Sequence, residues 1–124
     1  PAIVPVSAGR RVPGRATLVA GPFTDRLRLH TLRLARSPKV AAAGQFAQVA
    51  DNSAIIVMEV QADFYDAAGA LLASKRTVLR QPDVIGGTGV QRYGGHVPFT
   101  VAAPPAVAAR VSSALVSIPV LVNE

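Results

Sequence analysis

The chain has 124 residues, a formal net charge of +6, and neither cysteine nor tryptophan. That length holds one domain with a single two-layer core, and the lack of cysteine excludes a disulfide framework, a thiolate metal site and a thiol nucleophile. No apolar run reaches the roughly 18 residues of a membrane span, so no membrane-crossing segment is expected.

Charge is placed unevenly along the chain. Residues 1–40 carry eight basic groups (Arg10, Arg11, Arg15, Arg26, Arg28, Arg33, Arg36 and Lys39) against Asp25 alone, whereas residues 41–124 carry five basic and six acidic groups. A basic first third suits an anionic partner, and it also serves solubility in an arginine-rich composition. Residues 1–23 read as a basic extended arm, an edge or donor strand ahead of a sandwich domain over 24–124. Ala2-Ile3-Val4-Pro5-Val6 is apolar enough for a strand, but Pro5 cannot donate to a ladder and confines it to an edge. Gly9, Pro13, Gly14, Gly21 and Pro22 punctuate the rest of the arm, with Thr17-Leu18-Val19 a short strand between them.

Leu27-Arg28-Leu29-His30-Thr31-Leu32-Arg33-Leu34 alternates with a slip in phase. One extra residue at His30 or Thr31, a β-bulge, brings all four leucines to one face. A short amphipathic helix from Thr24 competes with the strand, and Ser37-Pro38 ends the segment. Gly44 to Ala50 is the next strand, closed by Asp51-Asn52-Ser53.

The strongest signal is Ile55 to Leu72. Met58, Val60, Ala62 and Phe64 share one parity; Glu59, Gln61, Asp63 and Tyr65 share the other. A period of two with one apolar side is the pattern of a half-buried antiparallel strand. Asp66-Ala67-Ala68-Gly69 then makes a turn, Asp66 capping it with its side chain and Gly69 taking positive φ. The returning strand continues to about Leu79. Residues 81–95 form a loop with five glycines, and His96 to Val101 is a short strand. The last strand runs from about Arg110 to Val122, with Ala114, Val116, Ile118, Val120 and Val122 on one face. At about 3.3 Å per residue it spans about 40 Å, so it either bends at Pro119 or projects.

About seven strands without a convincing helix give an all-β, immunoglobulin-like antiparallel β-sandwich. Gly44, Asn52-Ser53, Phe64-Tyr65-Asp66, Gly69 and Pro98-Phe99 carry a likeness as well. Residues 44–122 resemble the FxLYD-type immunoglobulin-like domains of bacterial and archaeal envelopes, with Ala62 where the namesake phenylalanine of that family stands. The resemblance implies a β-sandwich and an extracellular or cell-envelope setting, and it leaves the basic arm unaccounted for.

Catalytic chemistry has little to draw on. Only His30 and His96 could serve as a base, and no serine sits in a Gly-x-Ser-x-Gly elbow. Asp63 and Asp66 are better read as a solvent-face residue and a turn cap than as calcium ligands. Gly86-Gly87-Thr88-Gly89 lacks the Gly-Lys-Ser/Thr ending and the helix of a phosphate cradle. We therefore expect no enzyme, no cofactor, no metal and no small-molecule substrate.

Self-assembly fits better. Both ends carry apolar segments interrupted by proline, and strand addition to a neighbour's open edge would bury Ile3, Val4 and Val6 or Ile118, Val120 and Val122. Repeated head to tail, such a contact builds a filament. The expectation is a structural or adhesive subunit, associating mainly with itself. The rival expectation is a monomeric module that binds an anionic polymer, nucleic acid or glycan, through Arg10, Arg11, Arg15, Arg26, Arg28 and Arg33.

Overall fold

The structure, a computed structural model, describes residues 6–7, 11–22, 27–29, 31–48, 55–80 and 97–123. It is almost entirely β. Among the described residues nine strands run in chain order: β1 (Val6–Ser7), β2 (Ala16–Val19), β3 (Leu27–Leu29), β4 (Arg33–Ala35), β5 (Ala41–Gln48), β6 (Ile55–Tyr65), β7 (Leu71–Arg80), β8 (Val97–Ala102) and β9 (Ser113–Asn123). A 3₁₀ turn, Ala108–Arg110, precedes the last strand.

Two sheets face each other. The larger has the order β1-β2-β9-β6-β7; in the smaller, β5 pairs with β3, β4 and β8. Because β5 meets β4 and β8 over the same residues, and β3 and β8 both at Phe46, β3 and β4 share one edge of β5 and β8 takes the other. Core side chains come from both layers: Leu18, Met58, Val60, Phe64, Ala114 and Val116 from one, Leu29, Ala42, Phe99 and Val101 from the other. This is a sandwich, with apolar faces inward and polar faces outward.

The alternation in β6 emerges as expected. Met58, Ala62 and Phe64 are fully buried and Val60 nearly so, while Glu59, Gln61, Asp63 and Tyr65 are half-exposed. The turn after it also forms as read. Gly69 N–H donates to Asp66 O at 3.0 Å, the Asp66 carboxylate accepts from the backbone N–H of Ala68 and Ala70, and Gly69 has φ +87°. From β3 to β4 the register against β5 advances four residues, Leu29 to Arg33, against three, Phe46 to Ala43, and His30 lies outside the described residues. Leu29 is buried, and Leu32 and Leu34 pack against the same core.

Two features depart from expectation. In β9 the ladder with β6 advances three residues, Ser117 to Val120, against two, Glu59 to Gln61. The extra residue falls at Ile118-Pro119, where proline has no N–H to give the ladder. The parity therefore reverses: Ala114, Val116 and Ile118 face the core, but Leu121 replaces Val120 and Val122 as the next buried residue. The irregularity falls at the proline where a bend was expected, and β9 stays paired with β6 as far as Asn123. The second departure concerns the expected arm. β2 lies in the larger sheet beside β9, parallel to it, with Ala16 and Leu18 in the core, and β1 runs parallel to β2. Over its described residues, the arm belongs to the sandwich, and the larger sheet is not purely antiparallel.

Candidate functional site

The expected assembly residues separate. Val6 pairs with Leu18 of its own chain, so β1 forms one edge of the larger sheet. Ile3 and Val4 lie outside the described residues. Ile118 is buried in the core, Val120 is half-buried, and Val122 is 48% exposed.

What joins these last three is the pairing of β9. Between Ala114 and Val116 the strand has β2 on one side and β6 on the other. Beyond Val116, among the described residues, only β6 pairs with it, as far as Asn123. Among the described residues, no strand pairs with the other side of this stretch, the side that lies in line with β2. The outer face beside this stretch is apolar. Val122 lies opposite Val57, Val120 opposite Glu59, and Glu59 opposite Val78 on β7, which is 45% exposed. Val57, Val78, Val120 and Val122 thus form a patch across three strands, with Glu59 among them.

β7 is the opposite edge, ten residues paired to β6 alone among the described residues. It is blunted. Lys75 stands opposite buried Ala62, on the inward parity, and remains exposed, a charge that a pairing strand would have to desolvate. On the outward parity Arg76 is tied down. Its Nη1 donates to Glu59 Oε1 at 2.8 Å and its Nε to Gln61 Oε1 at 2.7 Å. Gln61 Nε2 donates to Asp63 Oδ1, which also accepts from Ser74 Oγ at 2.7 Å. The Arg76 side chain is half-exposed, so its ion pair with Glu59 contributes little to stability.

The six expected anion contacts are also divided. Arg10 and Arg26 lie outside the described residues, and Arg28 is described only as a backbone member of β3. Arg11 stacks its guanidinium 4.9 Å from the centre of the Tyr65 ring and borders a recess of about 200 Å³ with Asp66, Gly69 and Ser112. Arg15 and Arg33 both border a different cleft. Val12-Pro13-Gly14-Arg15 makes a turn closed by Arg15 N–H to Val12 O, with Gly14 at φ +78°, the arrangement of a type II turn. Gly14 N–H anchors the turn on Ser112 O at 2.6 Å. Arg15 thereby reaches the mouth of the sandwich where β2 meets β4, and borders with Arg33 a cleft of about 280 Å³.

His30, His96 and the loop 81–95 fall outside the described residues. The carboxylates of Asp63 and Asp66 each accept two hydrogen bonds from neighbouring protein groups. Among the described residues no group of three metal-ligating side chains comes together, and no helix is long and apolar enough to cross a membrane.

Comparison of the chain with family models, with curated proteins and with solved structures finds no match. The fold and the chemistry of its surface are the ground for a functional reading.

Proposed function

We propose that this protein is a non-enzymatic structural or adhesive subunit of a cell-surface or filamentous assembly, associating with copies of itself by β-strand addition. The observation that carries this is that, among the described residues, β9 pairs on one side alone from Ile118 to Asn123, beside the exposed valine patch. A strand laid in line with β2 would satisfy the open backbone groups and cover Val120 and Val122 together. The donor is the apolar segment around Ile3 and Val4 of a neighbouring copy, upstream of a β1 that stays on its own sheet. Donor and acceptor are different surfaces, so the contact repeats head to tail and does not close by symmetry. Likeness to the FxLYD-type envelope domains supports the extracellular setting.

Light scattering on the purified chain tests the reading. Assemblies larger than a monomer are expected, and both deletion of residues 1–5 and Val122→Asp should return the mass to that of one chain. A monomeric parent, or assembly that survives both changes, removes the proposal.

The rival reading is a monomer that grips an anionic polymer through the arginines. It draws support from Arg15 and Arg33 sharing a cleft, and loses it from Arg11 being turned onto Tyr65. Strong, steeply salt-dependent binding to DNA or to a polyanionic glycan would favour it.

A further inference from the structure

We infer that the recess bordered by Arg11, Asp66 and Ser113 is a binding site for a small zwitterion of the α-amino acid class. Arg11 and Ser113 hold its carboxylate, and Asp66 holds its ammonium. The site is separate from the assembly surface: it lies at the start of β9, whereas the stretch of β9 open to a neighbour lies beyond Val116.

A buried hydroxyl marks the recess. Ser113 stands opposite Tyr65 on the outward parity of β9, while Ala114 beside it faces the core. It is nonetheless only 4% exposed, and it lines the recess together with Ser112, on which the turn through Gly14 is anchored. Among the described residues nothing hydrogen-bonds to the Ser113 hydroxyl. Leaving such a group unpaired is costly, so a ligand that pairs with it is favoured.

Two opposite charges border the same recess without meeting. Arg11 lies over the Tyr65 ring, 4.9 Å from its centre, and its Nη2 is 3.2 Å from where a Cβ on Gly69 would be. The guanidinium is thereby fixed above Gly69, itself part of the recess wall, and among the described residues it makes no hydrogen bond or ion pair. Asp66 is fixed as well. Its Oδ1 accepts from the N–H groups of Ala68 and Ala70, and among the described residues no donor reaches Oδ2. The ring anchors the cation, the turn anchors the anion, and no ion pair forms between them.

A carboxylate alone would bring its charge toward Asp66, and an ammonium alone toward Arg11. A ligand with both groups on one carbon meets each charge with its opposite. The planar fork of Arg11 suits a carboxylate, and Ser113 adds a further donor. The size agrees. At roughly 30 Å³ for each water molecule, the recess of about 200 Å³ holds about seven of them. Pro13, Ala67 and Ala68 complete the wall, which offers no large apolar side chain to receive a bulky one.

The test is a titration of the ¹⁵N-labelled full chain with glycine, acetate and methylammonium, read from amide chemical shifts. Glycine should give saturable shifts at the amides of residues 66–70 and 112–114, and bind at least about tenfold more tightly than acetate or methylammonium. Arg11→Gln and Asp66→Asn should each weaken glycine about tenfold, the scale of one charge-assisted hydrogen bond. The asparagine keeps the side-chain oxygen that caps the turn, so this variant removes charge and not structure. Ser113→Ala should weaken glycine by a similar factor, with the spectrum outside the recess unchanged. Absence of saturable shifts at those amides, equal affinity for acetate or methylammonium, or full affinity in any of the three variants would overturn the assignment. Because these arms read ligand contacts and not mass, their outcome is independent of the state of assembly.

Discussion

Gly44 shows how a single residue sets the spacing of the smaller sheet. A Cβ at this position would lie 3.2 Å from Cε2 and Cζ of Phe99 and 3.3 Å from Leu32 Cα. Phe99 is buried and Leu32 offers backbone there, so neither can yield easily. Gly44→Ala should therefore destabilise by about 1–3 kcal/mol in urea unfolding, the usual cost of overpacking a core. Phe99→Leu in the same chain should recover part of the loss, and a double-mutant cycle that adds without coupling would refute the clash. Gly69 works differently. Its φ of +87° is strained for any L side chain, and a Cβ there would also meet the Arg11 guanidinium at 3.2 Å. Gly69→Ala should cost about 1–2 kcal/mol and loosen Arg11 from Tyr65. The turn chemistry of Asp66 and Gly69 was readable from residue types alone, since the αL position and the side-chain cap are local requirements. The tight contact at Gly44 was not, because Phe99 is 55 positions away.

Among the elements, β6 carries most of the packing. Phe64 is fully buried in the core cluster, and Phe64→Ala should cost about 3–5 kcal/mol. The outer face of the same strand makes the contrast. Arg76→Ala breaks the ion pair with Glu59 and the bond to Gln61, yet both partners reach solvent, so a loss of no more than about 1 kcal/mol is expected. Thermal denaturation of the two variants checks the ordering, and a larger effect at Arg76 would mean that the polar row is structural. The inward face of β6 was legible because period-two alternation is written along one strand. The leucine slip before Arg33 was legible for the same reason. In β9 the sequence showed where alternation was in danger, at Pro119, but not which of Val120 and Leu121 would turn inward. That choice belongs to the register against β6, which leaves no local trace. The parallel placement of β2 was hidden likewise, since its partner β9 is almost a hundred residues downstream.

At the scale of the whole molecule, the sandwich leaves one of its long edges defended and part of another open. Lys75 and Arg76 guard β7, whereas the far half of β9 presents apolar side chains beside backbone groups that, among the described residues, only β6 pairs on one side. Added salt should strengthen an association built on such a surface, or leave it unchanged, because the buried contacts are apolar. Light scattering at low and high ionic strength distinguishes this from an arginine-driven contact, which salt would dissolve. The arginine constellation itself was only half legible. Their number pointed to an anionic partner, but that Arg15 and Arg33 border one cleft while Arg11 turns to an aromatic ring is a product of topology. β9 also bears on how the molecule comes into being. It is the latest strand in the chain, yet it sits in the middle of the larger sheet, joining β2 to β6. Until it docks, the hairpin of β6 and β7 can close on itself, but β1 and β2 have nothing to lean on. Acquisition of the native state therefore waits on the longest-range encounters the chain can make, which places it with the millisecond-to-second folders. A nascent chain halted before Ser113 would hold two unjoined fragments of one sheet, and it would be a ready substrate for chaperones and proteases.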